Sequence, residues 1–168
     1  MDVRPPELDL IGLRAALRQY FAKIAQATGI RIDFSHNLGK RCLQGPSATI
    51  LFRVAQEAVT NAVKHSQAKT VKVSLTVGKD ELRFVIRDYG KGFNAELSKK
   101  ANGAGMGIIS LREMVSAASG LFTIDSKPGK GARILVRLPI GNDMVVFPET
   151  ANAKQVVRSG RGARLPLQ

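Results

Sequence analysis

Three residues with the right types and spacing to act together are Glu57, Asn61 and Lys64, which stand at i, i+4 and i+7 of one segment. If that segment is a helix, they share a face separate from the apolar stripe of Leu51, Ala55, Ala58, Val59 and Ala62. A carboxylate, an amide oxygen and an ammonium on one wall could hold Mg²⁺ and a polyphosphate together. Mg²⁺ takes one or two protein oxygens and fills its other positions with phosphate and water. An ordinary solvated helix face has the same spacing. A second group, Asp88-Tyr89-Gly90-Lys91-Gly92-Phe93, follows an alternating apolar run, which puts its carboxylate at a strand end beside glycines that admit a ligand to the backbone. A polar turn would read alike. A third, Gly103-Ala104-Gly105-Met106-Gly107, opens a helical pattern whose free N–H groups favour a phosphate. It is not a dinucleotide fingerprint, because no strand immediately precedes it and Ile108 stands where the sixth-place glycine should be.

The elements that must position these groups follow from periodicity. Leu13, Ala16, Leu17, Tyr20, Phe21 and Ile24 recur at helical spacing and stop at Thr28-Gly29. Residues 30–35 alternate as a strand, and a polar loop with Cys42 follows. Ser47, read as an N-cap, opens a long helix to about Ser66. Val71 to Val77 and Leu82 to Ile86 form a hairpin about Gly78-Lys79-Asp80, and a helix over Ile108 to Ala118 ends at Gly120. Phe122 and Ile124, a Lys127-Pro128-Gly129-Lys130-Gly131 turn, and Ile134 to Leu138 make a second hairpin. The sum is an α+β fold, a largely antiparallel sheet carrying helices on one face. Beyond Pro139 the pattern fades, and residues 141–168 read as a flexible tail.

With 168 residues, 44% of them apolar, the chain suits one domain with a real core. No apolar run is long enough to span a bilayer, and the first residues lack a signal-peptide stretch, so the expected location is the cytoplasm. Single Cys42 and the scattered His36 and His65 give no cluster for structural zinc, and His36 reads as an exposed loop residue. The net charge of +13 invites an anionic ligand or a nucleic acid, but the basic residues are dispersed and aromatics are only 5%.

Taken in order, the segments resemble the ATP-binding domain of sensor histidine kinases. Gln56-Glu57-Ala58-Val59-Thr60-Asn61-Ala62-Val63-Lys64-His65-Ser66 is similar to that family's N box, Asp88 to Phe93 to its G1 box, and Gly105-Met106-Gly107-Ile108 to its G2 box. The Lys64-His65 pair and Leu111-Arg112-Glu113 resemble the subfamily that partners NarL-type response regulators. Arg4-Pro5-Pro6-Glu7-Leu8-Asp9 resembles the junction after that subfamily's dimerisation helices, which makes residues 1–12 the end of a linker and residues 13–140 the ATP-binding domain. The resemblance implies a Bergerat (GHKL) two-layer sandwich with a mixed, mostly antiparallel sheet.

It also implies roles. Asp88 accepts from the adenine amino group, Asn61 ligates Mg²⁺, Lys64 and His65 contact phosphates, and Glu57 orients the metal's water shell. Gly90, Gly92, Phe93, Gly103, Gly105, Met106, Gly107 and Ile108 complete the ATP-binding set, with the lid at roughly Asn94 to Ala104 expected to order around the phosphates. The implied activity is transfer of the ATP γ-phosphoryl group to a histidine on a separate helical domain. Alternatives are a GHKL-type anti-sigma factor serine kinase and, from another class, a basic nucleic-acid-binding module. One departure stands out: the family usually has threonine after the last turn's glycine, and here Ala132 follows Gly131.

The family's acceptor histidine lies in helices that would precede Arg4, so the chain reads as a piece of a longer kinase. This chain alone is therefore expected to bind ATP, to be mainly monomeric and not to label itself. Sedimentation and acid-labile labelling from γ-labelled ATP check this; stable dimers or label on the chain would contradict it.

Overall fold

Apolar alternation along two central segments commits one face of a sheet to the core. In the computed structural model, which describes residues 6–94 and 106–146, the chain begins with α1 (Pro6–Thr28), β1 (Arg31–His36), β2 (Arg41–Leu43) and α2 (Gly45–Asn61), which continues into a π-helical turn at Ala62–Ser66. There follow β3 (Thr70–Val77), β4 (Glu81–Asp88), α3 (Met106–Ala117), β5 (Leu121–Ser126), β6 (Ala132–Pro139) and β7 (Met144–Val146). The main sheet has the order β1-β3-β4-β6-β5, with β1 parallel to β3 and the other pairs antiparallel. The expected architecture of a mixed, mostly antiparallel sheet with helices on one face is therefore present.

Val71, Val73 and Leu75 of β3, Leu82, Phe84 and Ile86 of β4, and Ile134, Val136 and Leu138 of β6 are buried together. Against them lie Leu13, Leu17 and Phe21 of α1, Leu51, Val54, Ala55 and Val59 of α2, and Leu111 and Val115 of α3. Each large apolar side chain removed from water contributes about 1.5–3 kcal/mol, so this face dominates the fold's stability. The outward face carries Lys72, Arg83, Arg87 and Arg137, which accounts for part of the positive charge. Lys72 and Arg87 both lie over the ring of Tyr89.

Four local features depart from the sequence reading. Helix α1 begins before Leu13 and is broken at Gly12 (φ 73°, ψ 167°), where a side chain would run into Cys42 Sγ; Leu8, ahead of the break, is fully buried. The loop with Cys42 contains β2, which pairs with β7. Ser47 is not the N-cap of α2: the helix starts at Gly45-Pro46, and the buried Ser47 donates its N–H to Asp143 Oδ2 at 2.9 Å. His36 is the last residue of β1, half-buried against Phe34, and not in a loop. Burial, then the charges of Arg14 and Arg18, hold its imidazole below the ordinary value.

The stretch beyond residue 140 thus contributes β7 and a cap, and residues 147–168 lie outside the described residues. So do the expected lid from Ala95 onward, Gly103 and Gly105, while Met106 is described only in its backbone. Asp143 does for α2 what an N-cap side chain does locally: it satisfies a free N–H and places negative charge at the positive end of the helix. Asp143→Ala should cost about 1 kcal/mol and lower Tm by a few degrees. Thermal unfolding checks this, and an unchanged Tm would remove the cap from the account.

Candidate nucleotide site

The floor of the cleft is set by register. Across β4, β6 and β5, Ile86, Ile134 and Ile124 are successive partners, and in the next inward-facing row so are Asp88, Ala132 and Ser126. Strand pleating turns both rows to the helix side, so one acidic group stands beside a plane of isoleucine and alanine. The three isoleucines, Asp88 and Ala132 line a cleft of about 330 Å³ together with Glu57, Ala58, Asn61, His65, Ser66, Lys91, Gly92, Phe93 and Ile108, while Ser126 ends its row outside that lining.

Asp88 Oδ1 accepts the N–H of Gly90 at 2.9 Å, which fixes the carboxylate while its second oxygen keeps acceptor capacity for a ligand. Gly90 has to be glycine, since a Cβ there would collide with the carbonyl of Ser66. Lys91 donates its N–H to that same carbonyl at 2.7 Å, which ties the segment after β4 to the end of the π-helical turn. A flat apolar slot with an acceptor-only group at its edge suits a heterocycle that carries an amino donor.

The other wall comes from α2. Asn61 Nδ2 donates to Glu57 Oε1 at 3.1 Å, which leaves the Asn61 carbonyl oxygen available. A Cβ added to Gly107 would lie 2.7 Å from the Glu57 carboxylate, so the first turn of α3 packs directly against Glu57. His65 also lines the cleft and Lys64 does not, although both are exposed. Spacing at i+7 assumed an unbroken α-helix; the wider i→i+5 turn at Ala62–Ser66 rotates each residue less, which brings His65 rather than Lys64 onto the wall of Glu57 and Asn61. A carboxylate and an amide oxygen side by side fit the donor set of Mg²⁺ carried by a polyphosphate.

The profile of the histidine kinase-, DNA gyrase B- and HSP90-like ATPases matches residues 47–142, which include α2 from Ser47 onward and both floor rows. The chain belongs to this ATPase family. Among its relatives are the signal transduction histidine-protein kinase/phosphatase DegS of Bacillus subtilis, 35% identical over 82% of this chain and 36% of its own length, and the oxygen sensor histidine kinase NreB of Staphylococcus carnosus, 31% identical over 83% of this chain and 40% of its own. The chain thus spans about two fifths of the relatives it matches. The histidine kinase domain of the Erythrobacter litoralis EL346 blue-light activated kinase has the same fold, with a TM-score of 0.60 at 19% identity over 79% of this chain and 68% of that one. The Bergerat ATPase fold expected from the sequence is the one found.

Among the ATPase-family segments, the structure brings Glu57, Asn61, His65, Asp88, Gly92, Phe93 and Ile108 to one cleft, with Gly90 and Gly107 packed directly behind it. Sequence reasoning missed Ser66, Lys91 and the isoleucine floor in the lining, and Ser126 at the end of the Asp88 row. The isoleucines carried a strand signal, but nothing local distinguishes a cleft floor from core. Asp88→Asn leaves an amide whose NH₂ can face the donor, so a charge-assisted bond worth roughly 1.5–3 kcal/mol should be lost and ATP affinity should fall at least tenfold. Calorimetric titration of the folded variant checks this; unchanged affinity would remove Asp88 from the base site.

Proposed function

We propose that this chain is the ATP-binding catalytic part of a two-component sensor histidine kinase that transfers the γ-phosphoryl group to a histidine on a separate helical domain. The observation that carries the reading is the meeting, in one cleft, of the Asp88 floor with the Glu57–Asn61 wall. The relatives DegS and NreB, both histidine kinases, support the kinase class. The subfamily resemblance supports a NarL-type response regulator as the partner of the intact system.

In this reading Asp88 accepts from the adenine amino group and discriminates against guanine, whose carbonyl would face a carboxylate. The isoleucines cover the faces of the base. Asn61 Oδ1 would hold Mg²⁺ with the phosphates, supplying charge neutralisation of the transferring group, and Glu57 orients Asn61 and the surrounding water. His65 and Lys91 bring donors to the same cleft, and Lys64, next to His65, lies outside its lining. Positioning and charge neutralisation are what phosphoryl transfer asks of a protein.

Two measurements test the reading. Asn61→Ala should weaken ATP binding mainly when Mg²⁺ is present; an equal loss in EDTA would contradict the metal role. A helical dimerisation fragment of a relative, carrying its acceptor histidine, should acquire acid-labile label from γ-labelled ATP when this chain is added in trans. Absence of label with proven ATP binding would overturn the kinase reading and favour another ATPase of the family.

A further inference from the structure

Ser126 ends the row that starts at Asp88, and it is only 7% exposed. Its Oγ accepts the N–H of Phe93 at 2.9 Å and donates to the carbonyl of Gly131 at 2.9 Å. One hydroxyl therefore joins three separate pieces of chain: the segment after Asp88, the end of β5 and the start of β6. Its proton is committed to Gly131, so it has no donor left for a ligand. Around it the backbone is tightly packed. Gly129 donates to the Lys91 carbonyl at 2.6 Å, and Gly92 is pressed against the carbonyls of Lys127 and Gly131. The neighbour between Asp88 and Ser126 is Ala132, whose methyl group can hold no N–H.

We propose that Ser126 is a positioning residue for the base of the bound nucleotide. By holding Phe93 N–H it fixes the far end of the Asp88–Phe93 segment, whose near end is fixed by the Asp88–Gly90 bond. Phe93 lines the cleft, so both edges of the base pocket are pinned before ligand arrives. Removing the hydroxyl leaves Phe93 N–H without its acceptor and frees the backbone at the point where the chain leaves the sheet. The base end then has to be ordered on binding, which weakens every adenine nucleotide equally and does not touch the metal-dependent part of the affinity. This inference rests on the nucleotide reading above and deepens it.

The test is a comparison of Ser126→Ala, Ser126→Cys and Ser126→Thr in the full chain. Calorimetry should show ATP and ADP weakened about three- to tenfold in the Ala variant, by the same factor in Mg²⁺ and in EDTA. Hydrogen exchange without nucleotide should show faster exchange at the Phe93 amide, with β3 amides unchanged. Ser126→Thr, which keeps the hydroxyl, should restore both. If the Ala variant does not fold, Ser126→Cys, similar in size and weak in hydrogen bonding, should show the same losses. Wild-type affinity in a folded Ala or Cys variant, or a loss confined to Mg²⁺ conditions, overturns the proposal alone. Failure of the unsubstituted chain to bind ATP overturns the nucleotide reading and this inference together.

Discussion

The register of β4, β6 and β5 is the constraint on which the site depends. Side chains alternate across a strand, so a slip of one residue would turn Asp88 to the outer face and bring Arg87 or Arg133 inward. What prevents the slip is the core itself. Leu82, Phe84 and Ile86 must stay opposite Leu138, Val136 and Ile134, and burying arginines in their place would cost far more than any loop contact returns. The apolar alternation that stabilises the sheet thus also aims the one carboxylate on its floor.

The second wall depends on the first through α2. Its apolar stripe lies on the sheet, which sets the rotation of the helix and hence the direction of Glu57 and Asn61. The helix is held at both ends by distant chain: Asp143 satisfies its N-terminus, and the Ser66 carbonyl at the end of the π-helical turn receives Lys91. Both contacts tie the N-box segment to parts of the chain that follow it by many residues. The π-helical turn breaks the regular ladder and re-aims the side chains that follow it. Here it presents His65 to the cleft while the apolar stripe behind it continues to Ala62.

The sequence made legible whatever depends on local chemistry and on regular period. The β3–β4 and β5–β6 hairpins, the amphipathic helices and the acid at the end of β4 all followed from alternation, turn residues and helical spacing. So did the pairing of Glu57 with Asn61, four residues apart on one α-helix. Lys64 is not on the wall with Glu57 and Asn61 because the period changes inside its own helix, and no residue type announces a π turn. Asp143 as a cap and β7 as a strand were not legible either: β7 has three residues, too few to show a period, and both partners lie about a hundred residues upstream. Ser126 carries no local signal of its place, since its bonds are to backbone that folding alone brings near.

Glu57 shows how the arrangement bears on transfer as against hydrolysis. A carboxylate that activates water needs an unshared oxygen aimed at the attacking molecule. In this chain Glu57 Oε1 accepts from Asn61 and the carboxylate is closed in on one side by Gly107, so only Oε2 keeps acceptor capacity and the group cannot turn freely. Those contacts favour a fixed acceptor over a mobile base, and they hold the Asn61 amide so that its oxygen is the one left to face the cleft. In the proposed reaction the nucleophile is a histidine of another domain, which brings its own basic nitrogen and has no need of a base in this cleft. A glutamate that orients an amide and its water, rather than one that removes a proton, matches that demand.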